Sequence, residues 1–139
     1  MRTIYDHANR KIAIQLTADE FKDGLTFFSA DEDFLQVGSW RYPQGKKLLA
    51  HIHNPAPRTI QWTQEFVFVV KGELQATLYD KNSTLIETLR LGPHDGLVLL
   101  AGGHGYEILK NDTVVIEVKN GPYVGAEQDR RRIESIASP

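Results

Sequence analysis

Short runs of alternating apolar and polar residues dominate this chain. Ile12, Ile14 and Leu16 alternate with polar or small neighbours, and Leu74, Ala76 and Leu78 alternate with Gln75, Thr77 and Tyr79. Period-2 alternation puts one set of side chains on one face, the pattern of a half-buried strand. Further strands are predicted over Leu25–Phe28, Phe34–Trp40, Lys46–His53, Thr59–Val70, Leu85–Leu91, Leu97–Leu100, Tyr106–Lys110 and Thr113–Lys119. Turn signals punctuate them: Asp31-Glu32-Asp33, Asn54-Pro55-Ala56-Pro57, Lys71-Gly72, Asp80 to Ser83, Gly92 to Gly96, Gly102-Gly103 and Asn111-Asp112. The last reads as a two-residue hairpin signal. Helical periodicity is weak, confined to Ala18–Lys22 and the tail near Glu127–Ile136. A parallel sheet needs crossover helices that this sequence does not supply, so the expected class is all-β, an antiparallel sandwich or barrel.

Length and composition narrow the picture. The 139 residues suit one domain, and 41% of them are hydrophobic, enough for a core without disulfides. Sixteen Lys and Arg face eighteen Asp and Glu, leaving a net charge of −2. Nucleic-acid affinity rests largely on counterion release by basic side chains, so no nucleic-acid partner is expected. The one basic run, Arg130 to Arg132, is flanked by Glu127, Asp129 and Glu134. Cysteine is absent, which excludes disulfides, thiolate metal sites and cysteine nucleophiles. The N-terminal stretch is charged rather than apolar, and the longest apolar runs have five residues, against about 20 for a membrane span. A cytoplasmic protein without membrane contact is the expectation. Phosphate-cradling glycine loops and the Gly-x-Ser-x-Gly nucleophile turn are both missing.

Histidine carries the candidate chemistry. His51 and His53 are one residue apart on a predicted strand, so both imidazoles should leave one face, about 6–7 Å apart. Each offers a nitrogen lone pair to a metal. The opposite face (Leu48, Ala50, Ile52) is apolar and needs cover from a second sheet or a second subunit, which points to a homodimer. His104 follows the Gly102-Gly103 break, whereas His7 and His94 are read as surface residues. Tyr106 falls on the face of His104.

Read outward from the histidine pair, the chain gives Gly45, five residues, His51, one, His53, then Glu65, six residues, Gly72. Further on come Gly92, Asp95 and, after an apolar strand and two glycines, His104. This resembles the cupin superfamily over Gly45 to about Ile108. The resemblance implies an antiparallel double-stranded β-helix, a jelly-roll barrel, with residues 1–139 as one cupin domain. The motif-like region would span 45–108, N-terminal strands 1–44, and a last strand and tail 109–139. It also implies that His51, His53, Glu65 and His104 bind one divalent transition metal. Eleven residues separate His53 from Glu65, more than the family motif has, and Gln61 competes with Glu65 as fourth ligand. In motif two, Leu99 and Ala101 stand where the family has Pro and Gly.

Imidazole suits iron, manganese, nickel, copper and zinc alike, so the metal's identity stays open. The expected function is a metal-binding cupin acting on a polar small molecule by oxygenation or isomerisation. Two alternatives stand beside it: a non-catalytic binding or sensor cupin for a sugar or acid, and a metal-free cupin resembling sugar-nucleotide epimerases, with a His as general base. Fold does not choose among them.

Overall fold

A computed structural model describes residues 1–133. Among these residues ten strands form three antiparallel sheets: β1 (Arg2–Tyr5), β2 (Lys11–Leu16), β3 (Gly24–Phe27), β4 (Gly38–Arg41), β5 (Glu65–Lys71), β6 (Leu74–Tyr79), β7 (Leu85–Leu91), β8 (Gly96–Leu99), β9 (Gly103–Ile108) and β10 (Val114–Lys119). The larger sheet has the order β1-β2-β8-β5-β10, the smaller β7-β6-β9, and β3-β4 is a two-stranded ribbon. The all-β, antiparallel class is as the alternation predicts.

Two apolar clusters explain the layers. The first gathers Ile12 from β2, Val67 and Val69 from β5, Leu74, Ala76 and Leu78 from β6, with Leu91, Leu97 and Leu99. It fills the space between the larger and smaller sheets. The second joins Ile14, Leu16, Val98 and Leu100 on the other face of the larger sheet to Phe28 and Val37. Strand β8 is therefore buried on both faces, Leu97 and Leu99 towards one cluster and Val98, with Leu100 just past the strand's end, towards the other. That is why its sequence is uninterruptedly apolar instead of alternating.

Gln64 ties the second layer down. Its side chain accepts from Leu35 N at 2.9 Å and donates to Leu100 O at 3.2 Å, while its own backbone N–H donates to Asn120 Oδ1 at 2.6 Å. Only 3% of the residue is exposed. It is a buried polar group with its donors and acceptors met.

Several local expectations change. Lys71-Gly72 and Asn111-Asp112 are turns, but neither closes a hairpin. Strand β5 pairs with β8 and β10, whereas β6 pairs with β7 and β9. The chain thus crosses between the two main sheets at β5→β6, β7→β8, β8→β9 and β9→β10, because an apolar inner face continues on whichever sheet needs it. A turn signal fixes the bend but not the pairing. The strand expected over Phe34–Trp40 shrinks to Gly38–Arg41. The Asp33 carboxylate instead holds the preceding turn, accepting from Ala30 N at 2.8 Å. Strand β1, unforeseen in the sequence, pairs with β2. The helical candidates reduce to one 3-10 turn, Ala18–Glu20, and α1, Ala126–Asp129. Residues 134–136 of the expected tail helix lie outside the described residues.

The strand expected over Lys46–His53 is also corrected. Residues 42–64 contain no strand, and 42–62 are exposed throughout. Pro43 and Gly45 precede the segment, with Gly45 at φ +85°, and Pro55 and Pro57 follow it. Prolines remove ladder donors at its end, and among the described residues the segment has no partner strand. Leu49 and Ile52, placed on opposite faces by alternation, are 89% and 93% exposed.

Candidate functional site

Glu65 opens β5, two residues before Val67 and four before Val69, on the inner face of the larger sheet. It lies opposite Leu99 on β8 and Lys119 on β10. His104 stands on β9 opposite Leu78 of β6 and shares that strand's inner face with Tyr106 and Ile108. The turn that delivers it needs Gly102, whose φ is +79° and whose α-carbon leaves no room for a side chain against the Tyr79 carbonyl.

The two inner faces bring an acid and an imidazole together. His104 Nε2 lies 3.1 Å from Glu65 Oε2, with the carboxylate side chain 12% exposed and the imidazole 28%. Oε2 is buried, and it has this ionic contact but no aligned hydrogen bond. On the other oxygen, Lys119 Nζ is 3.7 Å from Oε1 and 3.4 Å from the Glu117 carboxylate. The Tyr106 ring centre is 5.2 Å from that of His104.

The electrostatics follow from these neighbours. Contact with His104 holds the Glu65 carboxyl below its usual range; burial opposes this, and the Lys119 ammonium adds to it. Burial pushes the Tyr106 hydroxyl up, and the charges of Glu65 and Glu117 push it further. At Lys119 burial acts downwards, but the two carboxylates outweigh it and raise the group. Near neutral pH the cluster holds an ionised carboxylate, an ammonium and a neutral phenol.

His51 and His53 lie elsewhere in character. Both sit in the exposed segment, their ring centres 4.9 Å apart, and His51 Nδ1 meets Leu49 O at 3.2 Å. The imidazoles are neighbours, as their spacing suggests, but on irregular chain and not on a strand face. Among the described residues, no group of three or more His, Asp or Glu is placed to hold a metal ion. The structure therefore assembles Glu65 with His104 and leaves His51 and His53 outside that pair. Gln61 is exposed and lines a shallow cavity of about 210 Å³ with Trp62, Asn120 and Pro122, a lining that does not include His104. His7 and His94 are exposed, as expected.

Sequence reasoning missed Lys119. Along β10, Val114, Ile116 and Val118 alternate with Val115, Glu117 and Lys119, and the apolar set looks like the inward one. Register shows the reverse, since Lys119 pairs with Glu65, Glu117 with Val67 and Val115 with Val69. Period 2 defines two faces without saying which is inside.

No family model, curated protein or solved structure matches the chain. No described helix is long and apolar enough to cross a membrane.

Proposed function

We propose that this chain is a single-domain, cupin-type metal-binding protein that acts on a polar small molecule. The observation that carries the reading is the meeting of Glu65 and His104 from two different sheets, with a buried carboxylate oxygen lacking an aligned donor. A buried anionic oxygen without an aligned donor, beside an imidazole nitrogen, fits a divalent cation, which would take a lone pair from each. These are also the last ligand of the first cupin-like motif and the ligand of the second. His51 and His53 would complete the set, and a bound metal would supply Lewis-acid or oxygen-activating chemistry.

The chain's own residues do the rest. Glu65 stays ionised and holds the His104 ring, Tyr106 keeps its proton for donation to a substrate oxygen, and Lys119 offers charge to an anionic substrate group. Oxygenation and isomerisation are both compatible with these roles. The test is metal stoichiometry after demetallation and reloading with iron(II), manganese, nickel, copper and zinc in turn. One metal per chain, lost in His104→Ala, supports the reading; no metal near one per chain with the fold intact refutes it.

A second reading has its own observation. Lys119 already places positive charge 3.7 Å from Glu65, and the Glu65–His104 contact has the form of an oriented acid–base dyad. His104 would then serve as a general base without metal. Lys119→Met separates the two. It should strengthen metal binding in the first reading by removing a competing cation, and change no metal content in the second.

A further inference from the structure

Four strand ends gather at one end of the sandwich. Glu65 opens β5 opposite Lys119, the last residue of β10, and Gly103 opens β9 opposite Tyr79, the last residue of β6. The first pair belongs to the larger sheet and the second to the smaller, and packed sheets stand about 10 Å apart. The contact between Glu65 and His104 spans that gap just inside its mouth.

Residues 126–133 cross the mouth. On the larger-sheet side the Thr63 hydroxyl, two residues before Glu65, donates to Asp129 Oδ1 at 3.1 Å. The Asp129 charge is also among those acting on Lys119. On the smaller-sheet side Arg131 Nη2 donates to Lys81 O at 3.2 Å, in the turn that follows Tyr79. Ile133 then seats on Gly103, where a Cβ would lie only 2.5 Å from Ile133 Cδ1. The missing side chain at 103 is the notch that receives it. Neighbours on a strand point to opposite faces, so Ile133 grips the outside of the smaller sheet while His104 points inward. The chain from Asp129 to Ile133 therefore has to pass from one sheet to the other over the Glu65–His104 contact.

The crossing is lightly held. None of residues 121–133 is buried, and α1 buries no side chain. Segments with few buried contacts open at low free energy, well below that of global unfolding. Gly125, at φ +98° with open space where a side chain would stand, supplies a pivot just before α1. We propose that residues 126–133 are a strap that closes the mouth over Glu65 and His104 and swings about Gly125 to admit a small molecule. Closed, it keeps water and solutes from the imidazole; open, it exposes both groups at once. The closure rests on the contacts at Thr63, Lys81 and Gly103, and only the chemistry it guards rests on the metal reading.

Diethyl pyrocarbonate acylates accessible neutral imidazole and reads the strap directly. The rate at His104 is followed by peptide mass spectrometry in metal-free buffer near neutral pH, with the exposed His94 as internal reference. The release variant Thr63→Val, Ile133→Asp removes one anchor on each side and leaves Glu65, His104, Tyr106 and Lys119 in place. It should acylate His104 at least about fivefold faster than wild type, with His94 unchanged. Gly103→Ala fills the notch from the barrel side and should also speed His104. Added to Ile133→Asp it should have little further effect, because the strap is already off. An unchanged His104 rate on release, an equal rise at His94, or full additivity of Gly103→Ala with Ile133→Asp overturns the proposal. If the rates follow but reloading yields no metal, the metal reading fails and the strap stands. If metal binds but release leaves His104 acylation unchanged, the strap fails alone.

Discussion

Replacing Gln64 with methionine tests how much one buried amide holds together. Methionine keeps the length and the unbranched shape while removing both polar atoms. Two bonds go. The Leu35 N–H loses its acceptor at 2.9 Å, and a stranded donor in a part-buried setting costs about 1–3 kcal/mol. The Leu100 carbonyl loses the amide at 3.2 Å but keeps the Trp62 Nε1–H at 2.8 Å, so its loss is about 1 kcal/mol or less. The Gln64 backbone bond to Asn120 is untouched. Together the change should cost about 2–3 kcal/mol, a large share of the roughly 5–15 kcal/mol that holds a domain folded. In urea the midpoint should fall by about 1 M with unchanged slope, and Tm should drop by about 6–10 °C. Gln36→Met is the matched control. That amide donates to Ala30 O at 2.8 Å and Asp33 O at 2.9 Å, but it is exposed and water can replace it. It should cost no more than about 0.5 kcal/mol. Equal losses at positions 64 and 36 would refute the claim that burial makes the Gln64 bonds matter.

Other outcomes are as specific. Glu65→Gln should lose most bound metal while Gln61→Ala keeps it, measured by elemental analysis after reloading; the opposite pattern moves the fourth ligand to Gln61. Gly102→Ala should lower Tm sharply, since its left-handed φ and the Tyr79 carbonyl both exclude a methyl group, whereas Gly105→Ala, with open space, should change it little. Asp80 is held below its usual range chiefly by the Thr84 backbone N–H, with Asn82 adding to it. A depressed carboxylate stabilises above its unfolded pKa, and that contribution disappears as pH falls through the folded one. The stability gap between wild type and Asp80→Asn should therefore be full at pH 7 and vanish in acid, as read by urea titration across pH. A gap independent of pH would show that ionisation plays no part. Light scattering should return about twice the 15.7 kDa chain mass, given the exposed Leu25, Phe27 and Trp40 on the β3–β4 ribbon; a monomer mass at micromolar concentration removes the dimer.

Much of the fold was legible because apolar periodicity acts locally. The alternation of Leu74, Ala76 and Leu78 and the continuous run Leu97–Leu100 both mark strands that the structure contains. Pairing partners were not legible, because Lys71-Gly72 and Asn111-Asp112 look like hairpin turns whether the next strand joins the same sheet or the opposite one. Of the site, the spacing from Glu65 to Gly72 and the glycines before His104 pointed to the two residues that meet. The His51-x-His53 spacing could not tell a strand from an extended loop, since period 2 in a sequence does not say whether a partner strand lies beside it. Lys119 was hidden by a parity ambiguity that only register resolves.

The repeated passage of the chain between the two sheets governs how quickly the molecule can form. Strand β2 pairs with β8, Ala13 against Leu99 and Ile14 against Val98, and β5 waits for β10. Such partners are far apart along the chain, so loop closure must precede any gain from their contact, which places folding in the millisecond-to-second class. Among the described residues only the β1–β2, β3–β4 and β6–β7 pairs join neighbours in sequence, and of these β6–β7 contributes most to the inner core. That hairpin is the natural nucleus, and substitutions in it should slow folding, whereas those in β10 should mainly hasten unfolding. Until β8 and β10 arrive, Val67 and Val69 stand uncovered along β5. The transit time of the ribosome and the concentration of nascent chains then decide whether that strand finds its own partners or another molecule's.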